Sequence, residues 1–311
     1  MLEVGVLNLH HGWVSTDWEA WWNVRDEYPY LMCLNQGEAG YGAPFFEALN
    51  NPEMITWEYP NKKAAILQTD FEYSIRQANW WREEAEKAGW EIIFQETHAM
   101  GAIEFGPQML RIREEEPAII LMSSVMTPEI IALFADFLEE PTNSLFCITY
   151  GLERPEFRDA FGEQANGVLG SVPCFSFHAS EYTGQNPNYI THYETGKQII
   201  EEYNEKFGGG RPPAQTPIAY DSFWVWAEAV ERVGDVRDFD GIMQAMIDHP
   251  YVGATGTYAF DSETHACYYG ADAIPCMYYQ VQDEELINLA VGEGSNVELI
   301  DDFEVPWWIK E

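Results

Sequence analysis

The sequence predicts an α/β protein built on parallel sheets, and three observations carry that prediction. Lys63–Trp90 (KAAILQTDFEYSIRQANWWREEAEKAGW) joins a short apolar run, Ala64–Leu67, to an amphipathic segment and then to a second apolar run, Trp90–Phe94. Within that segment Ile75, Ala78, Trp81, Ala85 and Ala88 recur every three or four residues, which places them on one helical face. The same alternation continues regularly to about residue 175. A strand–helix–strand unit makes a parallel pair with a right-handed crossover, and its repetition makes a doubly wound sheet.

In chain order, Val4–Leu9 reads as a strand that runs into His10-His11-Gly12-Trp13. A Trp-rich segment (Trp13, Trp18, Trp21, Trp22) follows, denser in tryptophan than a surface helix needs, then Tyr30–Leu34 as a short strand and a helix through Phe45, Phe46 and Leu49. Pro60 marks the join to the central unit, whose helix ends at Gly89, because glycine takes the left-handed position after a helix without a Cβ penalty. Glu104–Glu116 is a helix with Phe105, Met109 and Ile112 inward, stopped by Pro117, and Ala118–Met122 is a strand. Thr127 is expected to cap the next helix, with Pro128 at its first position and Glu129 beside the positive end of its dipole. Leu145–Ile148 and Gly167–Val172 are strands around a helix at 155–161. A long helix at 187–207 stops at Gly208–Gly210. Thr216–Val233 is apolar on nearly every side (Phe223, Trp224, Val225, Trp226, Ala229, Val230), so it is expected between layers. Asp238–Asp248 is a shorter helix, Thr257–Asp261 is extended, and Cys276–Val281 is a late strand.

With 311 residues the chain can bury a sizeable core and divide into two domains. Acidic residues number 52 against 16 basic ones, a formal net charge of −36. No basic face exists to displace counterions from phosphates, so nucleic acid is excluded as a partner, and anionic membrane surfaces are disfavoured. The balance reads as a solvated acidic shell, as in proteins that work in high salt, rather than a patch reserved for a partner. No run of about twenty apolar residues is present to insert into a bilayer, and Met1–Val4 shows no secretion signal. The five cysteines (Cys33, Cys147, Cys174, Cys267, Cys276) lack CxxC spacing, which leaves buried thiols as the default and a Cys267–Cys276 disulfide as an alternative.

Ligands of open parallel sheets lie beyond the carboxyl ends of the strands, which sets Asp70, Phe71, Glu72 and Tyr73 against a ligand. Asp70 and Glu72 read as helix caps ahead of a catalytic carboxylate pair. His10 and His11 are adjacent in an extended stretch and point to opposite faces, which favours cleft lining over a shared metal. No Gly-x-Ser-x-Gly elbow surrounds any serine and no Lys-Ser/Thr follows Gly208–Gly210, so neither hydrolase nor phosphate-loop chemistry is expected, and no cofactor.

Six stretches in one order, KAAILQTDFEY (63–73), KAGWEIIFQET (87–97), RIREEEPAIILM (111–122), NGVLGSVP (166–173), PIAYDSFWVWAEAVER (217–232) and GATGTYAFD (253–261), resemble the type I periplasmic solute-binding proteins. These are the leucine/isoleucine/valine-binding receptors of ABC transporters. The resemblance implies two doubly wound parallel-sheet lobes joined by a multi-strand hinge, with crossings near Asn61, Val172–Phe175 and Pro275–Tyr278. Lobe I would comprise 1–60 plus 174–275, and lobe II 61–173 plus 276–311. The family carries about two further β-α units before the strand that Val4–Leu9 resembles, which implies an incomplete first lobe (a matter of domain size). His10, His11, Gly12 and Trp13 fall where the family binds a ligand carboxylate, with Trp13 near the family's usual Ser or Thr. Asp70, Phe71, Tyr73, Met126 and Thr127 fall in cleft-lining turns of the second lobe. Tyr150 stands where amino-acid binders carry an acid for the ligand's ammonium group, which implies a more aromatic or less cationic solute. The implied protein is no enzyme. It is an extracytoplasmic receptor that closes on a small organic solute (an amino-acid-like, carboxylate or aromatic compound) and presents it to the membrane permease of an ABC transporter; the alternative is a sensing domain of the same fold that signals to a partner protein.

Overall fold

The computed structural model of the chain describes residues 6–10, 15–34, 37–149, 151–172, 182–208 and 215–310. Contacts divide them into two compact units: unit 1 is the chain up to Gly40 together with Tyr182–Cys276, and unit 2 is Tyr41–Val172 together with the chain from Met277 on. Unit 1 opens with β1 (Asn8–His10), α1 (Ser15–Trp22) and β2 (Leu31–Cys33). Unit 2 takes α2 (Ala39–Leu49) from Tyr41 on, then β3 (Lys63–Thr69), α3 (Glu72–Lys87), β4 (Glu91–His98), α4 (Gly106–Glu115), β5 (Ile119–Ser123) and α5 (Thr127–Glu139). It continues through β6 (Leu145–Thr149), α6 (Pro155–Phe161), a 3-10 turn (Gly162–Ala165) and β7 (Leu169–Val172). The chain then contributes α7 (Pro187–Phe207), α8 (Gln215–Val233), α9 (Phe239–Asp248), β8 (Tyr251–Val252) and β9 (Thr257–Tyr258) to unit 1. It ends in unit 2 with β10 (Cys276–Gln282), β11 (Glu285–Glu293) and β12 (Asn296–Leu299).

The sequence reading set the first boundary at residue 60, whereas Tyr41–Pro60 group with unit 2. Their aromatic side chains explain why. Phe45 packs on Trp81 (ring centroids 6.3 Å apart), and Trp90 takes the edges of Phe46 (5.6 Å) and Tyr59 (4.9 Å).

Unit 2 is organised around an eight-stranded sheet in the order β12-β11-β10-β7-β6-β5-β3-β4. Strands β3 to β7 are mutually parallel, and β10 runs antiparallel to β7. Residues Ala64–Thr69 of β3 and all of β5 and β6 are buried on both faces, as strands covered by helices on each side must be. The buried stripe of α3 is Tyr73, Ser74, Gln77, Ala78, Trp81 and Ala85, rotated from the expected one, so Ile75 is only half-buried and Ala88 is exposed. Gly89 takes φ +77° at the helix end, as its position requires.

Strand β10 is the late strand expected at Cys276–Val281, but its hairpin partner β11 and the edge strand β12 were not legible in the sequence. Their turn, Asp283-Glu284, holds two positive φ angles (50° and 65°) without the glycine or asparagine that signals such a turn. Asn166 compensates, its Oδ1 accepting from the Glu284 N–H at 2.8 Å.

Among its described residues unit 1 shows the four helices α1, α7, α8 and α9, the ribbon β8–β9, and β1 paired in parallel with β2. The tryptophans of α1 pack against their neighbours: Trp18 stacks on Trp21 (4.3 Å), Trp21 meets His265 (5.9 Å), and Arg25 lies 3.8 Å over the Trp22 ring. Helix α8 is not enclosed: Val225 and Ala229 are buried, but Phe223 and Trp224 are 55% and 40% exposed. Cys267 and Cys276 are buried thiols that no disulfide joins, as are Cys33 and Cys147, and Cys276 Sγ donates to the Gly40 carbonyl at 3.4 Å.

Candidate functional site

The order β4-β3-β5-β6-β7 contains a reversal. From β3 the chain steps outward to β4, then crosses back to β5 on the other side of β3. The two connections leave the sheet in opposite directions, which opens a crevice at the carboxyl ends of β3 and β5, the place where α/β sheets bind ligands. Asp70, Phe71 and Tyr73 lie in the β3–α3 connection and its first helical turn, and Met126 and Thr127 begin α5 just after β5. The structure therefore gathers these five at one end of one sheet. His10 stands at the carboxyl end of β1 in unit 1. His11, Gly12, Trp13 and Tyr150 lie outside the described residues.

The side chains differ from the sequence reading in detail. Phe71, not an acid, occupies the N-cap of α3 in an extended conformation, and no side chain caps the helix. Asp70 is exposed and Glu72 pairs with Arg76 at 3.0 Å along the helix. Phe71 presents its ring, 41% exposed, at the crevice end of the sheet, whereas Tyr73 is buried on the inner face of α3. Thr127 is not the N-cap of α5. That position is Met126, and the Thr127 hydroxyl accepts from Arg154 at 3.0 Å.

Beneath these loops lies a row of buried hydroxyls that close the apolar strands: Thr69 on β3, Ser123 and Ser124 at β5, Thr149 on β6 and Ser171 on β7. Two acceptors collect most of them. Gln77 Oε1, from α3, accepts from Ser123 at 2.7 Å and from Thr149 at 2.6 Å. Glu129, from α5, accepts from Thr69 (2.5 Å), Ser124 (2.7 Å) and the Gly101 N–H (2.5 Å), with His98 Nε2 at 3.2 Å. Burial alone would raise the Glu129 pKa, but the hydrogen bonds from Thr69, Ser124, Gly101 and His98 outweigh it and hold the carboxyl below its ordinary value. Reading Glu129 as a charge for the helix dipole missed this role. The signal was present, since each apolar run ends in a hydroxyl. Among the described residues, Ser74 Oγ, Gln77 Nε2 and Ser171 Oγ are buried without a protein partner, polar capacity left for water or a ligand.

The sequence profile of the periplasmic binding protein family matches residues 14–279. The chain belongs to that family. Among solved structures it is similar to a protein from Silicibacter pomeroyi assigned to branched-chain amino acid ABC transport, with a TM-score of 0.84 at 22% identity over 99% of this chain and 77% of the other. It is also similar to the leucine-binding protein LivK of Thermotoga maritima (TM-score 0.70, 19% identity, 94% and 81% covered). A third likeness is to a solute-binding protein of an ABC transporter from R. palustris, solved with benzoate (TM-score 0.65, 13% identity, 88% and 68% covered). The fold of this periplasmic binding protein is thus the type I architecture, and its family and structural neighbours are binding proteins rather than enzymes. Among the described residues no helix is long and apolar enough to cross a membrane.

One further acid of this periplasmic binding protein lies after β6. Burial pushes the carboxyl of Glu153 up to about 8, against the pull of a hydrogen bond from Tyr279 and of the Arg154 charge. A carboxyl with a raised folded pKa contributes stability that is complete below its unfolded value and lost as pH rises through the folded one. Unit 2 is therefore expected to weaken between pH 4.5 and about 8 from this group, and Glu153→Gln to flatten that slope in urea titrations across the range. A slope unchanged by the substitution would assign the pH dependence elsewhere.

A cavity of about 630 Å³ lies at the opposite end of the sheet, beside the β10–β11 turn, lined by Glu163, Asp283, Glu284, Glu304 and Trp307 among others. Four carboxylates and no lysine or arginine line it. It offers nothing to an anionic solute, and it is remote in the topology from the β3/β5 reversal.

Proposed function

We propose that this protein is the solute receptor of an ABC transporter, holding a small organic carboxylate or aromatic compound and delivering it to a membrane permease outside the cytoplasm. The single observation that carries the reading is the β3/β5 reversal, where the exposed Phe71 ring and a row of buried hydroxyls lie at the same end of the sheet. Flat apolar contact with a few convergent polar groups suits a compact aromatic or branched apolar solute. Asp70, Phe71, Tyr73, Met126, Thr127 and Tyr150 would act from unit 2. His10, His11, Gly12 and Trp13 would act from unit 1, and the two units would serve as the lobes that close on the solute. Family membership supports the receptor role, and the benzoate and leucine binders among its structural neighbours support the solute class.

Calorimetric titration with benzoate and with L-leucine tests the proposal. One of the two is expected to bind, and Phe71→Ala to weaken it about tenfold, through the apolar area that the ring covers and, for benzoate, roughly 0.5–1.5 kcal/mol of ring–ring contact besides. Tyr73 is better probed by Tyr73→Phe, because its ring belongs to the core of α3 and removal to alanine would confound binding with folding. Affinity unchanged in Phe71→Ala would remove this crevice as the binding site.

A further inference from the structure

We infer that Glu129 is the positioning residue of the solute site, one buried carboxylate that fastens the loops after β3, β4 and β5 to each other and fixes their geometry before a solute arrives. The inference rests on the proposed site and deepens it. Its donors come from all three loops: Thr69 ends β3, His98 ends β4 and Gly101 follows it, and Ser124 follows β5. The loops are further cross-tied, Asp70 donating its N–H to the His98 carbonyl at 2.8 Å and Met126 its N–H to Ser124 Oγ at 2.9 Å. An ionised carboxylate only accepts, so it can serve four donors at once; a glutamine in its place would turn an amide N–H₂ toward a donor. Helix α5 does not need Glu129 to dock, since Ile130, Leu133, Phe134 and Phe137 already form its buried stripe. The carboxylate's partners are loops that carry the candidate ligand residues.

The ionisable groups around Glu129 are few. His98 faces it from β4, Asp70 and Glu104 stand exposed on the β3 and β4 loops, and Arg154 reaches Thr127 from beyond β6. On its own helix, Asp136 is occupied by the Phe105 N–H at 3.0 Å.

Hydrogen exchange of the unliganded protein tests the inference. Glu129→Gln is expected to speed exchange about tenfold in 70–73, 99–104 and 124–127 together, as loss of a charged hydrogen-bond acceptor would, leaving β6, β7 and unit 1 unchanged. Thr69→Val and Ser124→Ala leave the carboxylate in place, and each is expected to loosen its own loop alone. Change confined to one loop in Glu129→Gln, or spread evenly over unit 2, overturns the positioning role. Absence of change in both hydroxyl variants overturns it even where the glutamine variant does not fold. Benzoate and L-leucine then serve as probes of consequence. Beyond the loss that the probe's own carboxylate titration causes in both proteins, affinity for whichever binds is expected to fall further in acid, below the ordinary carboxylate range, in the wild type than in Glu129→Gln. An identical acid limb in both contradicts the role. A wild type that binds neither probe counts against the receptor reading, and the exchange pattern still decides the role of Glu129.

Discussion

Asp221→Ala is expected to destabilise unit 1 by about 3 kcal/mol, because a buried acceptor with three donors is removed and each donor left unmade costs roughly 1–3 kcal/mol. Asp221, fully buried in α8, accepts from the Ala254 N–H (2.9 Å), the Thr255 N–H (2.8 Å) and the Thr255 hydroxyl (2.6 Å). These bonds clamp the turn between β8 and β9, which His192 of α7 grips from its other side at 2.6 Å through the Gly253 carbonyl. Gly253 leaves room for the carboxylate, which an added Cβ would strike. Burial raises the Asp221 pKa to about 6, against the pull of the Thr255 and Ala254 hydrogen bonds. Its own contribution to stability is therefore greatest below pH 3.8 and declines as pH rises through about 6. Urea unfolding of the alanine variant checks the magnitude, and an unchanged midpoint would show that the turn holds without the clamp.

Trp308→Ala is expected to cost unit 2 about 3–5 kcal/mol, the range for removing a large buried aromatic. Its ring lies 5.9 Å from Phe134 and 5.5 Å from Phe137, and its Nε1 donates to the Ser144 carbonyl at 2.9 Å. The C-terminal segment is sewn down beside it, Lys310 donating its N–H to Asn143 Oδ1 at 2.9 Å. Trp307 is the internal control. It is 53% exposed, and Trp307→Ala is expected to change stability by no more than about 0.5 kcal/mol, apart from its one bond to the Gln164 carbonyl. Equal losses in the two variants would contradict this account of the C-terminus.

The parallel strands were legible because each is a short, uninterrupted apolar run, and a strand covered on both faces has no other pattern to show. Helix ends were less legible. Glu72, Thr127 and Glu129 have the residue types of caps and dipole partners, and composition cannot separate an acid that faces solvent from one that gathers four donors inside. Glu72 became an exposed ion pair and Glu129 a buried hub, from similar positions in their helices. The aromatic face of α8 misled for a related reason. Apolar residue type fixes preference, not location, and Phe223 and Trp224 point outward while Val225 points in. The β10–β11 hairpin hid behind Asp283-Glu284, where Asn166 does the work that a turn residue normally does. Position at the carboxyl ends of β3 and β5 was predictable for Phe71 and Met126 once the strand ends were located. The hydroxyl bed beneath them required the packing of α3 and α5.

Backbone hydrogen exchange with and without a saturating probe, benzoate or L-leucine, locates the solute site. A solute held at the β3/β5 reversal is expected to slow exchange at Asp70–Tyr73 and Ser124–Thr127, the loops that flank the crevice. Slowing confined to Glu163–Gly167 and Asp283–Glu284, the acidic cavity at the far end of the sheet, would contradict the account.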